Sequence, residues 1–179
     1  MAALTLAQAN RIIEAILARG AALECRPLAV IVVEPGCKVK AFQKEDGASM
    51  IRFEMALGKA YAALALGRSS KLVRIRNEER PAFMRHLVAL SDDQIFPEGG
   101  ALLIRDVDGE VIGAVGVTGD TEDRDDELAA HGIHAAGLKL ALEELTFFSQ
   151  PDSLKVLGVY PAHPFRKTIA KSSAQGSET

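Results

Sequence analysis

The chain has 179 residues, of which 48% are apolar and 25% are charged, and its formal net charge is −3. This length suits one compact domain, and two cysteines without CxxC or zinc-type spacing exclude a disulfide scaffold and a cysteine-based metal site. A slightly acidic chain with few aromatic residues argues against nucleic-acid binding, and no apolar run approaches the ~20 residues of a membrane span, so we expect a soluble cytoplasmic protein.

The first half of the chain predicts a helix, a hairpin and a second helix. Thr5 is placed to cap a helix over residues 6–20, where apolar side chains recur at helical spacing. Residues 28–33 are rich in β-branched side chains and predict a buried strand, and a returning strand follows at about 39–42. Alanine and leucine dominate residues 50–66, which predicts a central buried helix.

The second half predicts a basic connection, a helix, a second hairpin and a last helix. Residues 69–80 are rich in lysine and arginine and are expected to be exposed, and a proline allows a new helix over 81–90. Apolar runs at 101–105 and 111–117, separated by an aspartate and glycine turn, predict a hairpin. An acidic stretch then opens a helix that runs to about Leu145. Alternating helices and hairpins favour an antiparallel sheet covered by helices.

The composition changes after Phe148. Three prolines interrupt an apolar island at residues 156–160, and the polar residues 172–179 are typical of a frayed terminus. We therefore expect a domain at residues 1–145 and a C-terminal extension at 146–179, with a partly packed island and a mobile end.

Three blocks of sequence carry a resemblance to a known family. They are Asp46-Gly47-Ala48 followed by Ala56 and Lys59-Ala60, then Gly99-Gly100 before a strand, then Gly113-Ala114-Val115-Gly116-Val117-Thr118-Gly119 followed by Asp125, Ala129 and Gly132. In this order they resemble the GlcG/HbpS-like haem-degrading family, whose fold also occurs in the C-terminal domain of PduO-type proteins. The resemblance covers roughly residues 5–140.

This resemblance implies an α+β, profilin-like fold of three layers, in which helices flank a five-stranded antiparallel sheet, and a homo-oligomeric assembly. It also implies a protein that binds or degrades haem, or one that accompanies a catabolic pathway. The chain departs from the pattern, because haem-binding relatives can use a first-helix histidine as axial ligand and residues 4–22 contain none. Ala101 also replaces the proline that usually follows the glycine pair. These departures leave room for a family branch with its own ligand.

The segment Thr118-Gly119-Asp120 is the best candidate for a ligand site. It lies where a strand of small residues meets a helix N-terminus, so its amides and its hydroxyl are placed to hold a carboxylate, a propionate or a phosphate. The alternative is a tight turn in which Thr118 or Asp120 only caps the helix.

Lys59 and Arg52 are the candidate cations of the central helix. Burial of an unpaired ammonium is costly, so Lys59 is expected either to pair with an acid, Asp125 or Asp46, or to face a ligand pocket. Arg52 lies nearer the helix start, which favours solvent exposure, and it is also a candidate ligand-binding residue.

His131 and His134 share one helix face at i, i+3 spacing, close enough to share a metal ion or a proton. No HExxH-type motif is present, so no metal site is predicted, and use as an acid, a base or a haem ligand stays open.

Cys25 and Cys37 lack an evident base, which argues against a nucleophilic cysteine. The acidic stretch at 120–127 and the basic stretch at 68–85 are expected to be two solvated surfaces.

The sequence therefore supports three hypotheses of function. The first is a small-ligand-binding protein whose ligand, haem or a related tetrapyrrole, lies between Lys59 and the turn at 118–125. The alternative is a catabolic deaminase, lyase or hydrolase for a small unsaturated carboxylic acid from aromatic or organic-acid degradation, in which Asp125, His131 or His134 moves protons. The third is an assembly partner that binds another protein, or its own copy, through the island at 156–160.

Overall fold

The computed structural model describes residues 3–140, which contain five helices and four strands. The predicted C-terminal extension, with its apolar island, lies outside the described residues. None of the helices in the described range has the length and apolar composition that a membrane span needs. The elements are α1 (Leu6–Ala22), β1 (Ala29–Glu34), β2 (Lys38–Lys44), α2 (Arg52–Leu66), α3 (Ser70–Glu79), α4 (Pro81–Leu90), β3 (Ala101–Arg105), β4 (Val111–Thr118) and α5 (Glu122–Ala135).

The predicted cap of the first helix is confirmed. The Thr5 hydroxyl accepts the Gln8 amide at 3.1 Å, and the Gln8 side chain accepts the Thr5 amide at 3.0 Å. This reciprocal capping box pairs two of the backbone donors that a helix start leaves open. The helix therefore begins where the sequence places it.

The four strands form one antiparallel sheet in the order β2-β1-β4-β3. The mixed α+β class and the antiparallel sheet are confirmed, but the expectation of five strands is wrong for the described residues. Beside β3, residues 3–140 make only an isolated bridge between Arg105 and Lys139. One residue pair is too short a ladder to count as a strand.

Helices cover both faces of the sheet. On one face, Ile31, Leu103 and Ala114 pack against Ala56 and Ala60 of α2. Successive residues of a strand point to opposite faces of the sheet. The strand residues that alternate with these are buried as well, so the other face of the sheet must also be covered. The helices α1 and α5, which pack on each other and contact the strands, supply that cover.

The last described helix is shorter than the sequence predicts. α5 ends at Ala135, whereas the expectation was about Leu145. Gly137 has φ of +71°, its amide donates to the His134 carbonyl at 2.9 Å, and the Leu138 amide donates to the Ile133 carbonyl at 3.2 Å. This double hydrogen bond is a Schellman motif, which stops a helix at a left-handed glycine.

The basic segment is also different from its prediction. Residues expected to form an exposed connection form the helix α3, in which Ser70 and Val73 are buried. Lysine and arginine are good helix formers, so their charge does not argue against a helix.

The close packing of α2 on the sheet generates a prediction about Gly116. A Cβ atom there would lie 2.3 Å from the Ala56 carbonyl oxygen, a backbone atom that cannot rotate away. Gly116→Ala is therefore expected to lower the free energy of unfolding by more than ~3 kcal/mol. Gly109→Ala is the control, since Gly109 has φ of +89° but nothing within 4 Å, and only the ~1–2 kcal/mol of left-handed strain is expected. Urea denaturation measures both, and an equal loss in the two variants would contradict the packing argument.

Candidate functional site

Lys59 of α2 and Asp125 of α5 form a buried ion pair at the end of the sheet. The Lys59 ammonium donates to Asp125 Oδ2 at 3.0 Å and to the Val117 carbonyl at 3.1 Å. Lys59 is 4% exposed and Asp125 is 1% exposed. Burial raises the pKa of Asp125, and the Lys59 charge opposes that shift. Of the two partners that the sequence allows for Lys59, the structure selects Asp125.

A glycine makes this contact possible. Gly100 precedes β3 and has φ of +106°, and a Cβ atom on it would lie 2.8 Å from the Asp125 Cβ and 3.0 Å from the Lys59 ammonium. A side chain at this position would therefore occupy the space in which the two helical layers meet.

The turn after β4 joins the same cluster. Thr118 Oγ1 accepts a hydrogen bond from Arg52 at 2.9 Å, and the Asp120 amide donates to Asp125 Oδ1 at 3.2 Å. The structure thus brings Arg52, Thr118, Gly119 and Asp120 together with the ion pair. Several of the groups that were candidates to bind an anion are therefore already hydrogen-bonded within the chain. Arg52 is partly buried, and a ligand-binding role of these four residues stays a prediction.

Asp120 and Thr121 organise the start of α5. Asp120 accepts the Arg26 amide at 2.8 Å and the Thr121 amide at 2.7 Å, and these backbone hydrogen bonds lower the pKa of Asp120. Thr121 caps α5, because its side chain accepts the Arg124 amide. The alternative in which Thr118 or Asp120 only caps the helix is therefore wrong, since the helix begins at Glu122 and its cap is Thr121.

Three successive amides at the start of β3, two before the strand and one in its first residue, donate to side chains that the sequence analysis did not single out. Gly99 donates to Glu122 at 2.7 Å, Gly100 donates to Asp126 at 2.6 Å, and Ala101 donates to Ser70 at 2.9 Å. Glu122, Asp125 and Asp126 have the i, i+3, i+4 spacing of one helix face, which is the signal that could have found them.

Asp126 is the most perturbed carboxyl of the cluster. Burial raises its pKa to about 7, although the Gly100 hydrogen bond and the Lys71 charge oppose the shift. Its Oδ2 atom has no hydrogen-bond partner in the described part of the chain, and the Lys71 ammonium lies 3.6 Å away. Asp126 therefore exchanges a proton near neutral pH in the folded state.

The acidic and basic stretches meet within one chain, so the expectation of two solvated surfaces is wrong. Lys71 and Arg74 of α3 pair with Asp123 and Glu122 of α5, each at 2.7 Å. The long side chains of these two cations reach the acids of the first turn of α5.

The two helical histidines lie apart from this cluster. His131 and His134 are exposed on α5, and His131 follows Asp125 by about one and a half turns. Between residues 3 and 140 there is no group of three or more His, Cys, Asp or Glu side chains that could hold a metal ion.

Two cavities lie on other parts of the surface. The larger, about 550 Å³, is lined by residues of the α1 end and the β2 end, among them Cys25 and Asp46. The smaller, about 350 Å³, lies beside α2 and is lined by Cys37, Met55 and Phe96, among others. Lys59 lines neither cavity, and neither was visible in the sequence, because their walls come from distant segments.

Comparisons with known proteins define the family. The model of a family described as haem-degrading protein HbpS-like matches residues 4–134. An uncharacterised 15.0 kDa protein from the dhaT-dhaS intergenic region of Citrobacter freundii is 34% identical over 131 residues, which cover 72% of this chain and 89% of that protein. The chain therefore belongs to the HbpS-like family.

Solved structures show the same fold. The PduOC:haem complex superposes with a TM-score of 0.70 at 21% identity, over 78% of this chain and 99% of that one. ORFY of Klebsiella pneumoniae gives 0.69 at 24% identity, over 76% and 93% of the two chains. HbpS gives 0.64 at 21% identity, over 75% and 90%.

Removing only one of the two charges of the buried ion pair is expected to destabilise the fold strongly. Lys59→Met leaves the Asp125 carboxyl buried without its cation and is expected to lower the free energy of unfolding by ~3–5 kcal/mol. Adding Asp125→Asn removes the second charge, so the double variant is expected to lose less than the sum of the single losses.

An ion pair on the surface is the control for this double-mutant cycle. Lys40 and Glu34 also lie within 2.7 Å, but both side chains are partly exposed. Lys40→Met is expected to cost less than ~1 kcal/mol. If Lys59→Met cost no more than Lys40→Met in denaturant unfolding, the buried pair would not hold the layers together.

Asp126 predicts a specific pH dependence of stability. Its pKa rises from 3.8 to about 7 on folding, so the folded state binds more protons than the unfolded state between those values. Wild-type stability is therefore expected to fall relative to Asp126→Asn as pH rises from about 4 to about 7, by a few kcal/mol in total. Above pH 7 the difference in unfolding free energy between wild type and Asp126→Asn should become constant.

Asp123→Asn is the matched control for that titration. Asp123 is largely exposed, and its hydrogen bond to Lys71 lowers its pKa. The contribution of Asp123 to stability is present above its unfolded pKa and is lost as pH falls. This pH dependence is opposite in sign to that of Asp126. Unfolding midpoints measured from pH 3 to 8 separate the two variants, and parallel curves for Asp126→Asn and wild type would refute the assignment.

Proposed function

We propose that this protein binds a small ligand and that the ligand is haem or a related tetrapyrrole. The observation that carries the proposal is membership of a family described as haem-degrading, over residues 4–134. The similarity in fold to PduOC, whose structure holds haem, adds support. The proposal includes assembly of the chain into a homo-oligomer.

The described residues include side chains that haem iron accepts as ligands. A porphyrin needs an apolar surface and a donor for its iron, and haem iron is held in proteins by histidine, cysteine, methionine or tyrosine. The helix α1 contains no histidine, but His86, His131 and His134 are exposed on other helices. Bound haem would supply a redox-active iron.

Arg52 and the turn at 118–120 are our candidates for the anionic groups of the ligand. The Arg52 Nε atom is buried and has no hydrogen-bond partner among residues 3–140. An unsatisfied buried donor is costly, and a carboxylate of the ligand would satisfy it. In this proposal Lys59 acts indirectly, by holding Asp125 and hence the Asp120 amide in place.

The enzyme hypothesis assigns proton transfer to Asp125 and His131, with Lys59 on a substrate carboxylate. Lys59 and Asp125 are buried against each other, and His131 lies on an exposed face farther along α5. This separation favours the binding function. The enzyme hypothesis would be lost if Lys59→Ala and Asp125→Ala both left turnover of the intermediates of the neighbouring genes' pathway unchanged.

A haemin titration tests the proposed function. We expect a saturable shift of the Soret band, and native mass spectrometry is expected to show a homo-oligomer that gains haem mass. Protoporphyrin without iron is the control, because it should bind more weakly if a side chain ligates the metal. A protein that shows neither a saturable Soret shift nor a haem adduct would refute haem as the ligand.

A further inference from the structure

The smaller cavity lies between one face of α2 and the loop before β3. Its volume is about 350 Å³, which is within the range of ~300–1,000 Å³ that small-molecule sites occupy. The wall formed by α2 and its N-cap has the i, i+3, i+4, i+7, i+10 spacing of a single helix face, and it includes Ile51, Glu54, Met55, Gly58 and Tyr61.

The loop that forms the other wall is held against α2 by backbone and apolar contacts. The Phe96 amide donates to the Gly58 carbonyl at 3.2 Å, and a Cβ atom on Gly58 would lie 2.7 Å from the Phe96 Cβ. Ile95 is buried among apolar residues of α2, α3 and α4. These contacts fix the loop, and with it Asp93 and Gln94 of the cavity wall.

The charged side chains that line the cavity are all acidic. Glu54 lies on the α2 wall and Asp93 on the loop wall, and no lysine, arginine or histidine of the described range lines the cavity. Both carboxylates are exposed and make no hydrogen bond or ion pair with other residues of the 3–140 range. The cations of α2, Arg52 and Lys59, donate to the turn after β4 and to α5 instead. The cavity therefore carries two carboxylates whose charge no neighbouring cation in its lining offsets.

The rest of the lining suits the apolar part of an organic cation. Tyr61 and Phe96 contribute aromatic rings, and Met55 contributes a thioether. Aromatic rings attract cations to their faces, and methionine adapts to ligands of irregular shape. An anion in the cavity would face two like charges. The lining therefore favours positive charge, in contrast to the Arg52 cluster to which we assign the carboxylates of a tetrapyrrole.

We propose that the smaller cavity binds a small organic cation, that is, an ammonium group on an aromatic or aliphatic body. The ammonium lies between the carboxylates of Glu54 and Asp93, and the body packs against Met55, Tyr61 and Phe96. Hydrogen bonds between an ammonium and a carboxylate are stronger than those between neutral groups, so charge sets the specificity. This site is separate from that of the tetrapyrrole and does not depend on the proposed function.

Three probes of similar size separate the effect of charge from that of shape. Phenethylammonium is the cation, 2-phenylethanol is its neutral counterpart, and 3-phenylpropanoate has the opposite charge. Nuclear magnetic resonance of the full ¹⁵N-labelled chain follows the amides of Gly58, Gln94 and Phe96 during each titration. We expect saturable shifts with phenethylammonium, a Kd about tenfold higher for the alcohol, and no saturation with the anion.

The loop supplies a matched pair of variants. Asp92 and Asp93 are adjacent and exposed, and their φ values of +52° and +59° lie in the left-handed region that asparagine also adopts. Asp93 lines the cavity, whereas Asp92 does not. Asp93→Asn is therefore expected to raise the Kd for phenethylammonium about fivefold, and Asp92→Asn less than about twofold. Glu54→Gln on the opposite wall should match Asp93→Asn, and none of the three should change the Kd for the alcohol.

The possible results decide the assignment. Equal Kd values for the amine and the alcohol, or equal losses in Asp92→Asn and Asp93→Asn, overturn the cation site. Absence of shifts at Gly58 and Phe96 in wild type also overturns it. If Ile51→Glu, at the exposed rim, then converts the oligomer to monomers in native mass spectrometry, a second copy of the chain occupies the cavity instead. The haemin titration reports on the other ligand, so the two proposals fail separately.

Discussion

The contact between Lys59 and Asp125 joins the two helical layers of the protein. Lys59 comes from the helix on one face of the sheet and Asp125 from a helix on the other, and they meet where β3 begins and β4 ends. Both charges are removed from water, so each depends on the other for its stability. Their meeting also depends on Gly100, because any side chain there would fill the gap.

Residues from each of the three sequence blocks meet at this contact. The lysine of α2, the glycine pair before β3, the small-residue strand β4 and the aspartate of α5 all contribute to it, although they are far apart in sequence. These sequence blocks contain the residues that join the two helical layers. They therefore identify the family strongly and leave the position of the ligand open, since fold and site are separate properties.

The sequence predicts the elements well where local chemistry decides them, as in the capping of α1 and the two hairpins. It also predicts Asp125 as one of two partners of Lys59, because a buried ammonium needs an acid. It misses the end of α5, where one left-handed glycine outweighs the helix-forming residues after it. It misses the link from Asp126 to Gly100 because the contact spans 26 residues and joins groups whose burial only the fold determines.

The same separation explains why the absence of a first-helix histidine leaves the fold intact. The join between the layers uses buried residues, whereas the smaller cavity is lined by α2, the β1–β2 turn and the loop before β3. Loops tolerate substitution more readily than the elements they connect. Side chains in this turn and this loop can therefore change without disturbing the buried ion pair, so the join between the layers does not depend on the residues that line the cavity.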